Sequence, residues 1–104
     1  MKKKTTITAI AIALTFPLAA EAADANRGRV IARQWCASCH IVEPGQPAAA
    51  DTAPAFATVA NDPARLPSAQ RAWLSNPHPP MPNLALSRGE IDDIVAYLES
   101  LRRP

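Results

Sequence analysis

The chain has 104 residues, with 11 basic against 9 acidic side chains, 48% hydrophobic and only 5% aromatic residues. That length makes one domain, and two cysteines cannot supply the disulfide framework of a small secreted scaffold. The formal excess of +2 is concentrated at one end, so it does not describe a basic surface for nucleic acid.

Lys2-Lys3-Lys4 opens the chain, Thr5 to Ala20 follows without a charge, and Ala20-Glu21-Ala22 is a small-x-small pattern. This order of basic, apolar and small-residue regions predicts a secretory leader over residues 1–22 and a domain over residues 23–104. The competing reading is an uncleaved anchor. Its apolar stretch is shorter than the roughly 20 residues of a spanning helix, and Thr5, Thr6, Thr8, Thr15 and Pro17 dilute it. No membrane span is therefore expected in the mature chain. Removing residues 1–22 takes away all three lysines and one acid, leaving 82 residues with eight arginines, eight acids and ten prolines. A neutral domain of this size sits just above the roughly 70–80 residues below which a staple is usually needed.

Asp24 or Asn26 is available to cap a first helix over about Ala25 to Trp35. Gly28, Ile31, Ala32 and Trp35 fall on one stripe at helical spacing. Glu43 to Ala53, with Pro44, Gly45, Pro47 and a run of alanines, reads as loop, and Pro54 to Ala60 as a turn or two of helix. A short helix is expected from Ser68 to Ser75. Asn76 to Asn83 cannot be helical, because Pro77, Pro79, Pro80 and Pro82 remove donors and fix φ. The clearest helix runs from about Gly89 to Arg102. Ser87-x-x-Glu90 is a capping box for it, and Ile91, Ile94, Val95, Leu98 and Leu101 form its apolar face. Asp92, Asp93 and Glu99 are expected on its polar side. With no strand pattern, the fold class is all-α.

Cys36-Ala37-Ser38-Cys39-His40 is a C-x-x-C-H sequence, the signature of covalent haem attachment. Two thiols three residues apart at a helix end can each bond one vinyl group of a haem edge, and the next imidazole then lies under the iron. His40 is thus the expected proximal ligand, its other ring nitrogen needing an acceptor. Three other readings compete. A redox dithiol needs a βαβ context that is lacking here. Zinc would draw on Cys36, Cys39, His40 and His78, without the usual loop between ligand pairs. A plain local disulfide would stabilise little. Met81 is the one methionine beyond the leader, and its soft sulfur suits a sixth iron position. Its alternative is a core-filling role. His78 reads as a solvated loop residue, or as a pH-dependent competitor for the iron.

These elements together resemble a class I c-type cytochrome over nearly all of residues 24–104. Gly28-x-x-x-Ala32-x-x-x-Cys36 resembles that family's first helix, whose glycine lets the last helix cross closely. Tyr97 in Val95-Ala96-Tyr97-Leu98 fits the aromatic that packs there. Ala32 stands where the family often has an aromatic, which points to a looser crossing. Ala53-Pro54-Ala55-Phe56 is similar to the Gly-Pro-x-Leu turn whose proline carbonyl accepts from the proximal histidine, with Ala53 in place of glycine. Trp73-Leu74-x-Asn76-Pro77 and Met81-Pro82 resemble the ligand loop, implying a place for Trp73 near a haem propionate, unless it simply packs. Trp35 reads as packing or surface.

The resemblance implies three to five short helices around one haem c, with the terminal helices crossing. It implies a periplasmic electron-transfer protein rather than an enzyme, passing single electrons between donor and acceptor proteins. Whether it works alone or as a subunit of a dehydrogenase or oxidase is left open. A haem sensor with a displaceable sixth ligand is the third reading.

Overall fold

The structure is a computed structural model that describes residues 1–15, 22–49 and 53–104. Pro17 and the Ala20-Glu21 half of the expected cleavage pattern lie outside the described residues. Residues 1–15 carry no helix and are exposed, and no described helix is long and apolar enough to cross a membrane.

Four helices and no strand occur among the described residues: α1 (Ala25–Trp35), α2 (Phe56–Asn61), α3 (Pro67–Ser75) and α4 (Arg88–Ser100). The all-α expectation holds, with boundaries within a residue or two of those read from caps and prolines. Asp24 caps α1, its side chain accepting from the backbone N–H groups of Asn26 at 2.8 Å and Arg27 at 3.2 Å. Pro67 opens α3, where a missing N–H costs nothing. Both halves of the Ser87–Glu90 capping box form on α4, at 3.1 and 2.7 Å.

The α4 helix is the hub, packing on α1, α2 and α3. Its Ile94 and Val95 are each 1% exposed, and sealing such a side chain from water contributes about 1.5–3 kcal/mol. Ala32, Cys36, Val42, Phe56, Ala60, Ile94, Tyr97 and Leu98 form one buried cluster. Tyr97 brings a polar tip into it and discharges that tip usefully: its O–H donates to the Val42 carbonyl at 2.6 Å, fastening α4 to the chain just beyond His40.

Two sequence expectations need correcting. The crossing of α1 and α4 is tight, not loose. A Cβ on Gly28 would overlap the Asp93 carbonyl and come within 2.9 Å of Tyr97 Cβ, and Ala32 is fully buried. Small residues at positions 28 and 32 bring the backbones together, so an aromatic at 32 is not required. Trp35, read as packing or surface, is a surface residue, 56% exposed at the last position of α1. Asp93 is not on a solvated face. It is buried, and its Oδ1 accepts from the Asp24 backbone N–H at 2.8 Å. A carboxylate of α4 thereby takes up a backbone donor at the start of α1.

A surface clamp holds α1 to the loop after His40. Glu43 accepts from Arg33 Nε at 2.8 Å and from Arg29 Nε at 3.0 Å. These hydrogen bonds, Arg33 foremost, hold the Glu43 carboxyl below its usual range. A carboxylate with a depressed native pKa stabilises the fold at neutral pH, and that contribution is lost as pH falls through the lowered value. Glu43→Gln is therefore expected to melt slightly below the native protein at neutral pH, by a surface pair's modest margin. The two should converge in acid. Thermal melts at both pH values check this, and a gap that persists in acid would place the effect elsewhere.

Candidate cofactor site

The chain leaves α1 through Cys36, whose backbone N–H still bonds to Ala32 O. The N–H groups of Cys39 and His40 both return to Cys36 O, at 3.2 and 2.9 Å, so the C-x-x-C-H segment is one tight turn on the helix end. Cys36 is buried and Cys39 exposed, and both are free thiols. Burial, and then the neighbouring Cys39, push the Cys36 thiol up to about 11. Redox dithiols work through a lowered thiol pKa, so this environment opposes that reading.

His40 is half-buried, with Nδ1 at 2.6 Å from the Pro54 carbonyl. A carbonyl only accepts, so the proton sits on Nδ1 and the Nε2 lone pair is left for a metal. The Phe56 ring meets the imidazole edge-on at 5.4 Å and 66°. Phe56 N–H bonds to Ile41 O at 2.9 Å, fixing the Pro54 turn against the segment that carries His40.

Gln46 is the residue that sequence reasoning missed. Its Oε1 accepts from Val42 N–H at 2.9 Å, while Nε2 donates to His40 O at 2.9 Å and Ala37 O at 3.0 Å. One amide thus holds the attachment turn from inside its own loop. A glutamine between Pro-Gly and Pro is the only cue the sequence offers.

The second group lies on α3 and the proline-rich loop. Trp73 donates from Nε1 to Met81 Sδ at 3.0 Å, and the His78 ring lies 4.9 Å from the indole, tilted by 53°. Met81 is half-buried and its backbone N–H bonds to His78 O at 3.0 Å. Trp73 itself is 44% exposed, so it is not an ordinary core residue. His78 joins this group and not the cysteines. Among the described residues no three His, Cys, Asp or Glu side chains gather as a metal-holding cluster. Leu74 of α3 and Leu86 pack against the cluster that contains Cys36, tying the two halves to one core.

The donor set suits a haem. It offers two free thiols on one turn, an imidazole whose tautomer leaves Nε2 available, and a thioether in a loop stiffened by prolines. A zinc site would want a closed set of four ligands.

Comparison with known proteins agrees. The sequence model of the family described as cytochrome c oxidase, cbb3-type, subunit III matches residues 23–98. The chain is 48% identical over 81 residues to cytochrome c-552 of Bradyrhizobium diazoefficiens, an alignment covering 78% of each protein. No solved structure matches it. With a family match across nearly all of its folded part and close to half of the aligned residues shared with a named cytochrome, the chain belongs to the c-type cytochromes, electron carriers that hold a covalently bound haem c and its iron.

Proposed function

We propose that residues 1–22 export the chain, and that residues 23–104 act in the bacterial periplasm as a monohaem carrier of single electrons between donor and acceptor proteins. Cys36 and Cys39 would form the two thioethers, and His40 and Met81 would hold the iron. The observation that carries this reading is the 2.6 Å contact from His40 Nδ1 to Pro54 O, which orients the imidazole and frees Nε2 for iron. The haem supplies a reversible one-electron iron couple. Met81 presents a soft sulfur that favours the ferrous state over a second imidazole. Buried Phe56 meets the His40 ring edge-on and belongs to the same apolar cluster as Tyr97 and Leu98, which keeps that side of the imidazole apolar. The start of the family match at residue 23 supports the division at Ala22.

The reduced mature protein is expected to bind carbon monoxide poorly at neutral pH, whereas Met81→Ala should bind it readily and have a lower potential. Optical titration decides. Ready binding by the unaltered protein would mean an open sixth position and favour a sensor. A second reading is that the domain remains bound to a larger oxidoreductase, favoured by the family's description as an oxidase subunit. Co-purification with a larger complex would distinguish the two.

A further inference from the structure

The loop that carries Met81 back to α4 contains the only described residue other than glycine with a positive φ: Ala85, at 52°. A Cβ disfavours that left-handed region by roughly five- to thirtyfold. Ala85 is exposed, so burial does not force the conformation. A neighbouring side chain holds it instead. Asn83 Oδ1 accepts from the Ala85 backbone N–H at 2.9 Å, the local turn that asparagine makes with the amide two residues on. Among the described residues it is the only hydrogen bond that residues 82–86 make.

Both ends of this stretch are fixed. The Met81 N–H bonds to His78 O at 3.0 Å. Beyond Ala85, Leu86 packs against the buried cluster and Ser87 caps α4. If the φ of Ala85 returned to negative values, the chain would leave in another direction, and either Leu86 or Met81 would have to move. The core holds Leu86, so Met81 is the end that gives way. We infer that Asn83 is a positioning residue for Met81: its side chain keeps Ala85 left-handed, and that backbone turn sets where the loop delivers the sulfur. This inference rests on the ligation of iron by Met81 proposed above. Brace and strain are of similar size, since one hydrogen bond's net worth is about a two- to tenfold factor. The loop therefore sits near balance, and positions 83 and 85 decide how often the sulfur leaves its place.

Imidazole added to the ferric holoprotein tests this. It reaches the iron only when Met81 is away, so its apparent affinity follows that fraction. Asn83→Ala is expected to tighten imidazole binding about two- to tenfold. Asn83→Asp keeps the accepting oxygen and should bind imidazole as the unaltered protein does. Ala85→Gly removes the Cβ conflict and should weaken binding by roughly two- to fivefold. Combined with Asn83→Ala, it should bring the affinity back toward the unaltered value. No tightening in Asn83→Ala would overturn the inference, as would equal tightening in Asn83→Asp or in Ala85→Gly. The long-wavelength methionine–iron absorption band of the unaltered ferric protein separates the two kinds of failure. With the band present, the inference alone falls; with the band absent, the ligation reading fails and takes the inference with it. Hydrogen exchange gives a measure that needs no added ligand. The Ala85 amide is expected to exchange more slowly in the unaltered protein than in Asn83→Ala, and equal rates would overturn the inference.

Discussion

Replacing Gly28 with alanine is expected to destabilise the protein by about 3 kcal/mol or more, although the same change on an exposed helix stabilises by about 1 kcal/mol. The sign reverses because of what lies opposite. The added Cβ would overlap the Asp93 carbonyl and press on Tyr97 Cβ at 2.9 Å. Backbone cannot rotate away as a side chain can, so the whole of α4 must move. Tyr97 would then leave Val42 O, and the fastening beside the attachment turn would be lost. For a domain this small the melting temperature should drop by about 12–24 °C. Gly28→Val should prevent folding of most of the chain. A wild-type melting curve for the alanine variant would mean that the helices cross elsewhere.

His40→Ala is expected to yield almost no stable holoprotein. The substitution removes the imidazole held at 2.6 Å by Pro54 O and the ring edge against Phe56. Gln46 would still hold the backbone carbonyl of residue 40, so the turn itself has no reason to unravel first. The expected result is little haem in intact-mass and pigment measurements and, without that staple in so small a domain, a chain with much less helix by circular dichroism. A His40→Ala protein recovered with full haem content and an unchanged melt would remove His40 from the site.

The helices were legible because their signals are local. Asp24, Pro67 and the Ser87–Glu90 box mark starts within one turn of the residues they serve, and the apolar spacing of α4 marks its buried face. The C-x-x-C-H turn was legible for the same reason, since its five residues are consecutive and its backbone bonds return to its own first residue. What escaped depends on partners distant in the chain or on backbone atoms, which carry no residue signature. Asp93 read as one more polar residue beside Asp92; its partner is an amide 69 positions away. Among the described residues Gln46 bonds to main-chain groups alone. Trp73 and Met81 were each noticed, but the loop that folds one onto the other has no periodicity from which to read the pairing.

The buried Asp93 carboxylate also bears on the proposed export. Under the proposed division after Ala22, the new amino group on Ala23 would stand one residue before the amide that Asp93 grips at 2.8 Å. A chain end ordinarily frays. This one would begin beside a residue already fastened to α4, so the acid at the helix crossing would also hold the first residues of the cut chain.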